Sequence, residues 1–257
     1  MLRLNHLIVH IDNDEEILTG LKKELYPQGY PFNPESGEKG GGYQASNIWI
    51  GKQYIQLVRL TREAGTGWEE RWVKAYNEGH RGPVALIIAT HRLDELREGF
   101  EKQDLDIQIP KKASSKDIIG LFTDLLGITK QAPWKILYLP SIPGTDMEIG
   151  FIEYQGNAEE ELAEIMKPNS ANNGITSINR AKIYLPQWEE GMEYLGKIFP
   201  DLKDSKSQYR IRMLDSELLF FRSEPGEFGV KLETSCEKKD LVGGKFDIEN
   251  LSVKTTG

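Results

Sequence analysis

The chain has 257 residues, 39% of them hydrophobic and 28% charged, with a formal net charge of −8. That length suits one large domain or two small ones, and the composition is that of a globular chain, neither disordered nor membrane-spanning. The acidic balance argues against general affinity for nucleic acid or anionic lipid, and the lone Cys236 cannot form an internal disulfide. No secretory leader and no apolar run long enough to cross a membrane is read, so a cytoplasmic protein acting on something small is expected.

Residues Leu2 to Ile11 alternate and are rich in Leu, Ile and Val, which predicts a strand. Asp12-Asn13-Asp14 offers short acceptors for free backbone N–H groups, and Glu15 to Leu25 follows as a helix with Ile17, Leu18, Leu21 and Leu25 on one face. Pro27 to Gly42 reads as a loop that ends in Gly40-Gly41-Gly42. This glycine run lacks the Lys-Ser/Thr of a phosphate-binding loop and opens no helix, so it is read as flexible. Gln44 to Ile50 and Gln53 to Leu60 are strands joined by a Gly51-Lys52 turn. Thr66 to Gly79 is a connecting helix whose Trp68 and Trp72, four apart, are read as core.

The order then restarts. Pro83 to Thr90 is an apolar strand, Leu93 to Gln103 an amphipathic helix, and Trp134 to Leu139 and Glu148 to Tyr154 are strands. Lys111, Lys112 and Lys116 between them read as a solvated loop. A third, weaker restart runs through a strand at Ile175 to Leu185, a helix at Trp188 to Phe199, and short strands at Tyr209 to Leu214, Glu217 to Arg222 and Gly229 to Glu233, with a last strand at Asn250 to Lys254. The repeat is one of pattern rather than of residues. Gly156 to Gly174, acidic and rich in Asn, is the best boundary candidate, dividing a 1–156 unit (modules 1–61 and 81–156) from a third, partial module at 173–257.

Three short motifs carry a resemblance: Asn5-His6-Leu7-Ile8-Val9 in the first strand, Tyr54-Ile55-Gln56-Leu57 closing the first unit, and Gly150-Phe151-Ile152-Glu153-Tyr154 closing the second. With the glycine-rich approach to Asn47, they make residues Leu2 to Gln155 resemble the glyoxalase-like (vicinal oxygen chelate) superfamily. The resemblance implies an α+β fold of tandem βαβββ modules forming a cupped mixed sheet around a pocket. It also implies a divalent metal (Zn, Mn, Fe or Ni) held by His or Glu side chains from the first and last strand of each module. Carried over by position, the ligands are His6, Gln56 and Glu153. The fourth position meets Ala85 or Leu86, which cannot bind metal.

For each residue a plain reading stands beside the functional one. His6 shares strand parity with His10, so it is either a satisfied half-buried histidine or a pocket residue that binds metal or moves a proton. Glu153 is either the solvent-side partner of Phe151 or a buried carboxylate that could serve as a base. Gln56 is expected to bond a ligand or the backbone, and Asn47 and Tyr43 to line the pocket.

Three functions stay open. One is a metal-dependent lyase, isomerase or dioxygenase with His6 and Glu153 catalytic. The second is a metal-free protein that binds or sequesters a small molecule. The third is a structural domain whose pocket is filled by its own side chains. A homodimer is the expected assembly, and neither nucleic acid nor a membrane is expected as a partner.

Overall fold

The first strand, β1 (Arg3–His10), is buried almost throughout, which fits its Leu, Ile and Val content. Helix α1 (Glu15–Leu25) follows; Asp14 caps it by accepting from Glu16 N at 2.7 Å and Ile17 N at 3.2 Å. Leu18, Leu21 and Leu25 are its buried face. Ile17, expected beside them, is 42% exposed, because it sits one position off that stripe. A computed structural model describes residues 1–35, 37–110, 133–200 and 208–257. Lys111, Lys112 and Lys116 lie outside the described residues.

Strands β2 (Glu38–Lys39), β3 (Tyr43–Ile50) and β4 (Gln53–Leu60) complete the first module. β4 returns parallel to β1 and β3 pairs antiparallel with β4, so first and last strands lie side by side. Helix α2 (Glu70–Asn77) starts four residues later than the pattern suggested, because Gly65 and Gly67 take positive φ values of 51° and 92° and hold a turn that no helix can enter. The second module repeats the plan with β5 (Gly82–Ala89), α3 (Leu93–Lys102), β6 (Trp134–Tyr138) and β7 (Glu148–Tyr154). The two modules join through the antiparallel pair β1 and β5, giving one mixed sheet in the order β2-β3-β4-β1-β5-β7-β6.

Helix α4 (Ala158–Ile165) and the turn after it occupy the boundary segment. They are tied to the first sheet by the Arg3–Glu159 ion pair and by Asn169, which bonds Gly51 at 3.0 and 2.8 Å. Strand β8 (Ile175–Leu185), α5 (Trp188–Ile198), β9 (Gln208–Arg212), β10 (Glu217–Arg222), β11 (Gly229–Cys236), β12 (Lys245–Ile248) and β13 (Leu251–Thr256) follow. They build a second sheet in the order β12-β13-β11-β8-β10-β9. It too is a pair of units: β8 is parallel to β10, and β11 to β13, with β8 and β11 antiparallel at the join. The four-residue β12 gave no visible signal in the sequence.

The fold is therefore α+β, with tandem modules forming mixed sheets. One face of each sheet, with α1, α3 and α5, makes a single large apolar core. The opposite face of the first sheet carries a second cluster, where Trp72 and Tyr76 of α2 pack over Ile8, Val58, Ala85 and Ile87. The opposite face of the second sheet is charged. Among the described residues, no helix is long and apolar enough to cross a membrane.

Candidate functional site

The inner face of the first sheet, the one α2 covers, can be read row by row, because side chains of paired residues share a face. The first row is Tyr54, His6, Ile87 and Gly150. The second is Asn47, Gln56, Ile8, Ala85 and Glu148. The third holds Ala45, Val58 and His10, with Glu38 beside Ala45. Tyr43, paired with Leu60, closes the face at that end.

Four of the five expected residues thus come together: His6, Gln56, Asn47 and Tyr43. Glu153 does not. It stands three residues beyond Gly150, an odd number, so it projects from the other face. Phe151, which shares its parity, lies in the large core, while Ile152 lies in the inner cluster. The carboxylate that does reach the inner face is Glu148, which is 4% exposed.

Glu148 is already occupied. Arg71 of α2 donates from Nε to Oε1 at 2.6 Å and from Nη2 to Oε2 at 2.8 Å. The same guanidinium lies over the rings of Trp72 and Tyr138, 4.9 and 5.0 Å from their centroids. A cation at Glu148 would face a fixed positive charge.

The metal implied by the sequence resemblance therefore finds no matching donor set. The row through His6 offers one imidazole beside a tyrosine, an isoleucine and a glycine. Gln56 and Glu148 lie one row away, and Glu153 lies behind the sheet. Among the described residues, no group of three or more His, Cys, Asp or Glu side chains stands together in a metal-binding arrangement. Strand register thus separates His6, Gln56 and Glu153, which the resemblance implied as joint ligands: the first two stand in different rows and the third on the opposite face.

His6 is shaped for a different task. Its Nδ1 bonds Asn5 Oδ1 at 2.7 Å, so Nδ1 carries the proton and Nε2 keeps a lone pair. Asn5 Oδ1 also accepts from the Tyr154 hydroxyl at 3.2 Å. A register shift between Leu4 and His6 marks an irregularity at Asn5 in β1. Tyr54 stacks on the imidazole at 4.3 Å with an interplanar angle of 11°. Burial pulls the His6 pKa down to about 3, so the ring is a neutral acceptor rather than a base for neutral pH.

Comparison with known proteins bears on the fold alone. No family model and no curated protein matches the chain. Among solved structures, a hypothetical protein from Staphylococcus aureus is similar over 99% of this chain and 98% of its own, with a TM-score of 0.68 at 11% identity. Both sheets are part of a shared fold. A methylmalonyl-CoA epimerase in complex with methylmalonyl-CoA and NH4+ is similar over 60% of this chain and 95% of its own, at TM-score 0.39 and 12% identity. The same enzyme from Mycobacterium tuberculosis is similar over 61% and 91%, at TM-score 0.39 and 10% identity.

Several inner-face groups were not singled out from the sequence. Glu38 receives the Tyr43 hydroxyl proton in a hydrogen bond, and burial pushes its pKa up to about 6. The pair can hold or pass a proton near neutral pH. Burial also raises the phenol of Tyr54 well above its usual range, and that of Tyr154 to about 12. Tyr54, Gln56 and Asn47 nevertheless keep part of their surface accessible. Among the described residues, four buried polar atoms of this face have no hydrogen-bond partner: His10 Nε2, Asn47 Oδ1, Trp68 Nε1 and Trp72 Nε1. The expectation that Trp68 and Trp72 are core holds for their rings, which pack against each other at 5.3 Å and against Tyr43 and Tyr138. It misses their N–H groups.

Proposed function

We propose that the chain is a metal-free small-molecule binding protein, built on the glyoxalase-like modular sheet that its sequence motifs resemble. The ligand seat is the inner-face recess between His6, Tyr54, Gln56 and Asn47 on one side and Trp68 and Trp72 on the other. The observation that carries this reading is that three of these polar atoms, Asn47 Oδ1 and the two indole N–H groups, lack a partner among the described residues. Leaving a buried donor or acceptor unmade costs roughly 1–3 kcal/mol each, so three on one face call for a partner. A flat ligand with acceptors toward the indoles and a donor toward Asn47 would supply them, while Tyr54 and Tyr138 provide apolar wall.

The alternative of a metal-dependent lyase, isomerase or dioxygenase loses its support with the donor set. The reading of a pocket wholly filled by side chains is disfavoured by the same three orphaned atoms. The test is a thermal-shift screen of small planar molecules, followed by tryptophan fluorescence titration of any hit. A hit should raise the melting temperature of the wild type. The shift should vanish in Asn47→Leu and Trp72→Phe, while those variants fold normally. Hits whose shift survives both substitutions would place the ligand elsewhere and end this reading.

A further inference from the structure

The outer face of the second sheet is a basic platform on an acidic protein. One complete row crosses all six strands: Lys245, Lys254, Glu233, Arg180, Glu217 and Arg212. The next row carries Lys231, Lys182 and Arg210, with Asp247 at its end. Seven cations meet three carboxylates, a surplus of four positive charges, although the whole chain carries −8. Six strands at the usual spacing make the stripe about 24 Å long.

The three carboxylates are shared among five of the cations, Asp247 being taken by Lys245 at 3.0 Å, and the surplus of four remains. Glu233 is taken by Arg180 at 2.6 Å and by Lys182. Glu217 faces Arg180 at 3.4 Å, and Arg210 and Arg212 at 3.9 Å each. Arg212 is left 78% exposed. Two like-charged pairs lie directly opposite across strands, Lys182 with Lys231 and Lys245 with Lys254. Such pairs oppose sheet formation, and Glu233 on Lys182 and Asp247 on Lys245 offset them only in part. The next row places Tyr184 stacked on Phe221, with ring centroids 5.4 Å apart, in the middle of the same face. Where α2 covers the first sheet, no described helix covers this one.

We propose that this face binds single-stranded nucleic acid, its phosphates running along the basic stripe and its bases reaching the Tyr184–Phe221 pair. Guanidinium and ammonium groups suit phosphates, and aromatic rings on an open sheet suit unpaired bases. A 24 Å stripe with no enclosing walls fits several successive phosphates better than one small anion. The acidic composition, which argues against nucleic acid for the chain as a whole, hides the patch because the remaining surface outweighs it. This site is separate from the inner-face recess and does not depend on it.

The test is fluorescence anisotropy of the full chain with fluorescein-labelled oligouridylate and oligothymidylate of twelve nucleotides at 50 and 200 mM salt. Binding is expected at the lower salt, weakening with a log–log slope of about −3, as four released counterions on a single strand give. Arg210→Glu with Arg212→Glu should weaken binding on the order of tenfold or more, and Lys231→Glu with Lys254→Glu should do the same. Lys22→Glu with Lys23→Glu on α1 should not. Absence of binding at 50 mM salt, or equal binding by all three double variants, overturns the proposal. So does equal competition by a poly-glutamate peptide, which would make the face a docking site for acidic proteins. Thermal melting of each variant confirms that it is folded, and the two independent outer-face pairs guard against one of them failing.

Discussion

Arg71 grips both oxygens of Glu148, at 2.6 and 2.8 Å, and so fixes α2 over the inner face of the first sheet. Glu148 is nearly sealed from water, whereas the Arg71 side chain is 29% exposed. Removing the cation would strand a buried carboxylate. Arg71→Met is therefore expected to destabilise the fold by about 2–4 kcal/mol, somewhat less than a fully buried pair would cost, since Arg71 is partly solvated. Glu148→Gln in the same chain should recover most of that loss. Urea unfolding of the single and double variants measures both. Equal stability of Arg71→Met and wild type would show that the pair does not hold α2 in place.

Two buried histidines set the acid limit of the fold. Burial is the main cause that lowers the pKa of both His6 and His10 to about 3, with His80 and Arg81 adding to the effect on His10. Their unfolded value is about 6.5. A depressed histidine pKa means that the unfolded chain binds the proton first. The stability they contribute is complete above about pH 6.5 and is lost as pH falls toward 3. Each contributes a slope of about 1.4 kcal/mol per pH unit in that window. His10→Asn should remove one histidine's share of the slope, up to about 1.4 kcal/mol per pH unit, between about pH 6.5 and 5. A slope that His10→Asn leaves unchanged would mean that His10 takes up its proton in the folded state.

Glu38 works in the opposite direction. Burial raises its pKa to about 6 from a usual 4.5. The folded chain binds this proton first, so the group destabilises the fold above pH 6 and ceases to do so as pH falls through 6 toward 4.5. Glu38→Gln keeps an acceptor for the Tyr43 hydroxyl and removes the charge. It should stabilise the protein by about 2 kcal/mol at pH 8 and by much less at pH 4.5. Denaturant midpoints at the two pH values decide it; a gain of the same size at both would point to packing rather than to the proton.

Alternation along single strands was legible in the sequence, and cross-strand register was not. The parity that joins His6 to His10 in β1, and Phe151 to Glu153 in β7, can be read directly from HLIVH and FIEY. Which of the two faces of β7 meets His6 depends on Ala85 pairing with Glu148 and Ile87 with Gly150, a long-range fact. That is why Glu153 was expected in the site and Glu148 stands there instead. The same holds for the basic rows: Arg180 and Lys182 alternate visibly in β8, but Arg212 and Lys254 join them only through β10 and β11. The four-residue spacing of Trp68 and Trp72 was visible too, though not the surface they would cover.

The two sheets are also joined through one tyrosine. Tyr30, fully buried at the end of the first helix region, bonds the hydroxyls of Thr234 at 2.6 Å and Thr255 at 2.8 Å, on β11 and β13 of the second sheet. Its ring meets Phe246 of β12 edge-on at 5.0 Å. Phenylalanine would keep the ring contact and leave two buried hydroxyls without this partner. Tyr30→Phe should therefore cost about 1–3 kcal/mol, more than a single surface hydrogen bond is worth. Replacing both threonines by valine alongside it should return much of the loss, since no polar group then remains unmet. Hydrogen exchange locates the effect: the amides of β11 and β13 should lose protection in Tyr30→Phe before those of β1 and β5. Uniform loss across both sheets would mean that they unfold as one unit and that Tyr30 stabilises the whole rather than the junction.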